Sequence, residues 1–334
     1  MAITIHCDVK DPITAEEYIE HILQNVDITD AESLIEAAPH LRALAANKNI
    51  VLDVFNKNLE SYVNHRRTSQ YNPQSFIIAS HMSKEKSFFL RGNIWSAISK
   101  NNTVQALEER VFTYNIAHDH NFYFMTVGYH GPGYTTRIYE YDHALTAGYI
   151  GERVDLKFLE ETTLPVGKVM LYRPGKDVHL QLPPEEMSIS LNLMIADSAD
   201  QSREQYFFDV DSKKIVGYPF SAAVFRRSSL IQLAGHFADD RTIELLMDIA
   251  LNQPGARNRV TAIDSLLRLN ADELPLILES TVNDKDEIVQ AYSKVVMEAG
   301  DDCTQLRMWR KQYGLDCRDE ISTLSRKSLG ETIR

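Results

Sequence analysis

Between Ser75 and Val216 the chain changes character every few residues, and this restricts its fold more than any other feature. Runs rich in β-branched and aromatic residues fall at Ser75–Ala79, Ser87–Ile98, Arg110–Ala117, Tyr123–Tyr129, Thr135–Tyr141, Val154–Phe158, Lys168–Arg173 and Ser188–Ile195, each bounded by turn residues. Strands this short and this closely spaced predict an antiparallel sandwich or barrel. A last hairpin is expected over Gln205–Val216, turning at Asp209-Val210-Asp211-Ser212.

Both flanks carry helical spacing instead. Thr14 with Glu17 three positions later is a capping-box signature, and Ile19, Ile22 and Leu23 follow at helical intervals. A second helix is expected from Thr29-Asp30-Ala31-Glu32 and a third from Ile50 to Val63. Strand character is lost beyond Pro219, where Ser229–Phe237, Arg241–Leu251, Arg257–Leu269, Glu273–Val282 and Glu287–Glu298 read as amphipathic helices. The Asp240–Leu246 sequence is echoed by Asp272–Leu278, about 32 positions on, as expected of stacked helical hairpins of HEAT type or of an ordinary helical bundle. The expected organisation is therefore α+β: an N-terminal helical segment over 1–70, a β module over 71–218 and a helical domain over 222–334.

Charge and cysteine usage narrow the class of function. There are 35 basic and 47 acidic residues, a net charge of −12, and no long basic run. Such a chain is poorly suited to grip nucleic acid or an anionic membrane. Cys7, Cys303 and Cys317 are odd in number and far apart, which is no disulfide framework. Met1–His6 lacks the features of a secretory signal, so a cytoplasmic location is expected.

The segment that carries chemistry is Tyr114-Asn115-Ile116-Ala117-His118-Asp119-His120. In a strand, residues two apart point to one side, so His118 and His120 project together and Asp119 projects oppositely. Two imidazoles on one face suit two positions of an Fe, Ni, Cu or Zn ion. A third donor is available in Val166–His179, where Pro174-Gly175 makes a tight turn and His179 begins the next strand.

The order HxH, then Gly167, Pro174-Gly175 and His179, resembles the two signature motifs of the cupin superfamily, over about residues 71–218. That resemblance implies a small antiparallel barrel whose interior holds one divalent metal on His118, His120 and His179. The common cupin pattern adds a glutamate shortly after HxH, but Tyr123, Phe124 and Met125 stand there. A three-histidine set resembles the cysteine dioxygenase (thiol dioxygenase) branch, which implies Fe(II), with Zn, Mn, Ni or Cu as other candidates. In that branch an arginine about as far ahead of HxH as Arg91 is of His118 grips a substrate carboxylate, which implies that role for Arg91. The branch's Ser-x-His-x-Tyr run is matched here only by Ser188-Ile189-Ser190-Leu191-Asn192, so cysteine itself is not the expected substrate. Asn192 is a candidate donor to a bound ligand.

Further candidates surround the motifs. His130 lies in the glycine-rich turn Gly128–Gly133 and suits proton transfer or a surface position. Tyr139 and Tyr141 share a face, and Tyr141 is a candidate to present its phenol to the cavity. Phe122 and Phe124 are candidates for an apolar wall beside the metal, and Asp119 for outward solvation or, less expectedly, for accepting from a group on another strand. The expected activity is that of a non-heme iron oxygenase taking O₂ and a small amino-acid-like or carboxylate substrate. A non-oxidative metal cupin (isomerase, lyase or hydrolase) and a ligand-sensing module are the other classes, with a protein partner or homodimer formed through the helical domain.

Overall fold

The computed structural model describes residues 2–7, 11–64, 74–99, 101–196, 204–219, 223–299 and 303–312. The expected break at Tyr71-Asn72-Pro73 and Cys317 lie outside these residues. The chain divides into two compact units, one of residues 1–144 with 155–201, the other of 145–154 with 202–334. No helix among the described residues is long and apolar enough to cross a membrane.

The first unit opens with β1 (Ile3–Ile5) and four helices, α1 (Ala15–Asn25), α2 (Ala31–Glu36), α3 (Ala38–Ala46) and α4 (Ile50–Val63). The capping box at Thr14 and Glu17 forms, with each side chain bonded to the other's backbone N–H. The expected second helix is two helices, because Pro39 lies in the first turn of α3 and removes a donor from a continuous ladder. α1 has no basic residue in its last turn, and Lys86 supplies one from elsewhere. Its Nζ donates to the carbonyls of Ile22, Leu23 and Val26 at 3.1, 2.8 and 2.8 Å.

Next come β2 (Ser75–Met82), β3 (Ser87–Trp95), α5 (Asn102–Phe112), β4 (Ala117–Asp119), β5 (Phe124–His130), β6 (Thr135–Glu140), β7 (Lys157–Thr163), β8 (Val169–Tyr172), β9 (Asp177–Leu182) and β10 (Ser188–Ile195). One antiparallel sheet has the order β1-β8-β5-β10-β3-β2, and in the second β4, β9, β6 and β7 are neighbours. The expected strand at Arg110–Ala117 is instead the end of α5 followed by a turn. Thr113 and Asn115 there adopt positive φ, a conformation that a strand does not admit. The strand expected at Val154–Phe158 starts only at Lys157.

The first sheet has two distinct faces. Leu90, Met125, Val127, Leu171, Leu191 and Leu193 bury one face against the helical residues Tyr18, Ile22, Leu41 and Leu44. Gly92 allows this close packing, since a Cβ there would overlap the Phe76 ring. The other face contributes Trp95, Phe124, Met170 and Tyr172 to a second core shared with Tyr134 and Ile138. That second core is the floor of the site described below.

The second unit contains the hairpin β11 (Phe207–Asp209) and β12 (Lys214–Gly217), whose turn falls at the expected aspartate-rich position. Asp209 Oδ1 accepts from the N–H groups of Asp211 and Ser212. Among the described residues six helices follow: α6 (Ala223–Ala234), α7 (Asp240–Asn252), α8 (Ala256–Leu269), α9 (Leu274–Thr281), α10 (Glu287–Ala299) and α11 (Cys303–Gln312). α8 is the central one, packed by α6, α7, α9 and α10. Its buried Asp264 accepts from Tyr292, Arg268 and Arg310, so this buried carboxylate is paired on every side. Arg257 donates to Glu204 at 2.7 Å, stacks on the Tyr218 ring and reaches the carbonyl of Gly148. Tyr218 reaches the same carbonyl, and together they tie the excursion 145–154 into this unit.

Candidate metal centre

β4 is only three residues long, and its pairing with β9 sets His118 directly opposite His179. On its other side His179 is opposite Ile138 of β6. Directly opposed residues of paired strands share a face, so both imidazoles point toward the second core. His120 lies just past β4, where its backbone is held from outside its own strand: the N–H of Gly175 donates to the His120 carbonyl at 2.9 Å. Gly175 takes φ +62°, which a side chain resists, within the turn from β8 to β9. Arg173 closes that turn with two bonds to Asp177 from its side chain, one from its N–H, and one to Glu140.

The result is convergence of three ring nitrogens. His120 Nε2 lies 3.0 Å from His179 Nε2, which lies 3.1 Å from His118 Nε2. One donor atom from each of the three residues falls within 4.8 Å of the others, a spacing that one ion can bridge.

Protonation agrees with this use. His118 Nδ1 lies 2.9 Å from the carbonyl oxygen of Ile116, which can only accept, so Nδ1 carries the proton and Nε2 faces the cluster with its lone pair. The Gln181 side-chain Nε2 lies 2.8 Å from His179 Nδ1, so a second polar group holds that ring in place. Burial pushes the His118 pKa down, only partly offset by the Ile116 bond. Burial pushes His120 and His179 well down, helped by the neighbouring imidazoles and, for His120, by the Arg91 charge. Neutral imidazoles are the ligating form.

An aromatic wall stands beside the nitrogens. The Phe122 and Phe124 rings lie 4.9 and 5.3 Å from the His120 ring. Phe124 stacks on Tyr172, whose ring lies 4.6 Å from that of His179. Tyr172 was not foreseen, although it belongs to the run Lys168–Arg173 and faces the same side as Met170.

The first sheet supplies a polar wall. Phe124 faces the imidazoles, so alternation puts Thr126 on that side as well. Across the sheet Thr126 is opposite Asn192, and Asn192 is opposite Arg91. Thr126 Oγ1 donates to Asn192 Oδ1 at 2.6 Å. Burial lowers the Arg91 pKa to about 10, so the guanidinium stays charged at neutral pH. One step along β3, Asn93 is opposite Ser190, whose hydroxyl accepts from Trp95 Nε1 at 3.0 Å. Asn93, Trp95 and Ser190 escaped the sequence reading. The period-two pattern Arg91-x-Asn93-x-Trp95 in β3 and Ser188-x-Ser190-x-Asn192 in β10 was the available signal.

The structure thus gathers His118, His120, His179, Arg91, Asn192, Phe122 and Phe124. It does not bring His130 or Tyr141 to them. His130 is exposed at the end of β5. Tyr141 donates to Asp119 at 2.6 Å, and Asp119 points to the opposite side of β4 from His118. Tyr139 is opposite Val178 and also faces away. Asp119 is fully buried and accepts from Tyr141, so the favoured expectation of outward solvation fails and the other, an acceptor for a group from another segment, holds. Cys7 is half-buried and burial raises its thiol pKa, which disfavours a reactive thiolate.

No protein-family model matches the chain, and no curated protein matches it. Among solved structures it is similar to salicylate 1,2-dioxygenase from Pseudaminobacter salicylatoxidans at 8% identity and a TM-score of 0.24, covering 44% of this chain and 33% of that one. It is similar to vicilin from Corylus avellana at 9% identity and a TM-score of 0.25, covering 44% and 34%. A structure of DMSP lyases matches at 11% identity and a TM-score of 0.21, covering 58% and 78%. The match therefore spans about a third of the first two proteins, and at these TM-scores the likenesses carry no weight for fold or activity.

Proposed function

We propose that the first unit is a cupin-type metalloenzyme, an oxygenase that holds Fe(II) on His118, His120 and His179 and acts on a small carboxylate with O₂. The observation that carries this reading is the convergence of three neutral Nε2 atoms in front of a buried guanidinium. The donor set fits the metal: three imidazoles, at least one with its tautomer fixed by a backbone carbonyl. Bound there, ferrous iron supplies one-electron chemistry toward O₂.

The remaining work falls to the chain. Arg91 attracts the substrate carboxylate and orients it by paired hydrogen bonds, which removes translational freedom before any bond changes. Phe122, Phe124 and Tyr172 keep bulk water from the imidazoles, which strengthens every charge interaction in the cavity. The helical part of the second unit is read as a HEAT-like scaffold for a protein partner or a second copy, in a cytoplasmic setting.

The test is anaerobic loading with Fe(II), metal quantification, and O₂ uptake against a panel of small carboxylates. Stoichiometric iron with carboxylate-dependent O₂ uptake supports the reading. Substrate turnover without O₂ uptake moves the protein to the non-oxidative metal class, and failure to retain any divalent metal removes the enzyme reading.

A further inference from the structure

We infer that the polar wall facing the imidazoles is a recognition surface for a small hydroxycarboxylate, whose carboxylate lies on Arg91 and Asn192 and whose hydroxyl donates to Asn93. This inference rests on the metal-site reading above and adds the substrate's second functional group. Its basis is a set of buried polar atoms on one sheet face. Arg91 Nε, Asn192 Nδ2 and Asn93 Oδ1 are all buried and have no hydrogen-bond partner among the described residues. Asn192 is 1% exposed and Asn93 is 5% exposed. A native interior seldom leaves such atoms unmatched, because each costs its full desolvation unless something binds it.

Their arrangement specifies what binds. Arg91 and Asn192 are directly opposite each other on paired strands, so their side chains start about 5 Å apart on the same face. The Thr126 hydroxyl donates to Asn192 Oδ1, which turns Nδ2 outward as a donor. Two donors side by side match the two oxygens of a carboxylate. Asn93 lies two residues beyond Arg91 on the same strand face, about 7 Å away along the backbone, and its free atom is an acceptor. An acceptor there calls for a ligand group that donates.

Charge decides between the two common donors. An ammonium would stand near the Arg91 cation and meet only an amide oxygen at Asn93. Of the carboxylates on that side, Asp177 and Glu140 are both held by Arg173, and Glu160, opposite Ile138, has the Lys168 charge beside it. A desolvated cation without a counter-charge is strongly disfavoured, whereas a neutral hydroxyl satisfies Asn93 at no such cost. A ligand lacking that hydroxyl leaves Asn93 Oδ1 unmatched, so the wall discriminates against it.

The test uses the full chain loaded with Zn²⁺, which is redox-silent, and calorimetric titration with propionate, 3-hydroxypropionate and β-alanine. The expected result is about threefold to tenfold tighter binding of 3-hydroxypropionate than of propionate, the worth of one neutral hydrogen bond, with β-alanine no tighter than propionate. Asn93→Leu should erase the hydroxyl's advantage, so that the two acids bind with equal affinity. Equal affinity for the two acids overturns the inference, as does preference for β-alanine. A hydroxyl advantage that survives in Asn93→Leu also overturns it, since the hydroxyl is then bound elsewhere. If Asn93→Leu does not fold by circular dichroism, the ranking of the three probes on the unaltered chain decides. A chain that holds zinc but ranks the probes wrongly loses only this inference, whereas a chain that holds no zinc loses the metal reading beneath it.

Discussion

The N–H of Gly175 donates to the carbonyl oxygen of His120 at 2.9 Å, so the turn that leads into one candidate ligand strand also fixes the backbone of the other. His120 lies outside β4 and has no strand register of its own. The Pro174-Gly175 turn is thus part of the metal geometry.

That relationship makes Gly175→Ala informative. Gly175 sits at φ +62°, where a Cβ costs about 1–2 kcal/mol. The variant should lose about that much stability in denaturant unfolding and stay folded. It should also bind divalent metal more weakly, because relaxing the turn moves the His120 backbone. Unchanged metal affinity with the expected stability loss would detach the turn from the site.

His120→Ala should remove most of the bound metal while the sheets remain intact. Its ring stands beside Phe122 and Phe124 and is not one of the residues of the apolar core beneath. Metal content and circular dichroism measured on one preparation check this, and full occupancy would falsify the three-imidazole assignment.

The metal-free chain should lose stability as the solution is acidified. His118, His120 and His179 all have folded-state pKa values lowered by burial. Between those values and the unfolded value of about 6.5, the unfolded chain binds more protons, so stability rises with pH in that window and is lost as pH falls through it. Denaturant midpoints taken between about pH 5 and pH 8 should rise and then level above about pH 7. Replacing all three histidines by asparagine should flatten the profile, and a slope that survives the replacement places its origin in other groups.

Much of this site was legible because it obeys period two. His118 and His120 were placed together by alternation, and His179 by the Pro-Gly turn before it. Asn192 and Arg91 were named singly, but their opposition depends on strand register across β10, which one sequence does not contain. Asn93 was passed over for the same reason: a polar residue inside a strand reads as solvent-facing until the partner sheet covers it. The Arg110–Ala117 misreading has a different cause. Its β-branched and aromatic residues suggested a strand, but the helical pattern of α5 and two positive-φ residues prevailed. Tyr141 was aimed at the cavity because it shares a face with Tyr139, but which face of β6 is turned to the imidazoles depends on its register with β9: Tyr139, opposite Val178, faces away, and the Tyr141 phenol goes to Asp119.

Arg91→Lys separates charge from shape at the centre of the proposed site. Lysine keeps one positive charge but loses the planar pair of donors, so a carboxylate held by two parallel bonds is then held by one. Binding of a carboxylate such as propionate should weaken by about 1.5–3 kcal/mol, while metal content stays unchanged because no ligand is altered. The position is desolvated strongly enough to lower the arginine's own pKa to about 10. An amine starts from a lower intrinsic value, so the same burial brings its titration toward the neutral range. Carboxylate affinity in the variant should therefore fall as pH rises through that range, whereas the arginine form shows no such loss. Calorimetric titrations of both proteins at about pH 6.5 and about pH 8.5, with metal quantified in each preparation, give the comparison. Equal affinity in the two proteins at both pH values would remove Arg91 from the substrate's contacts and leave the anion to be held by the metal alone.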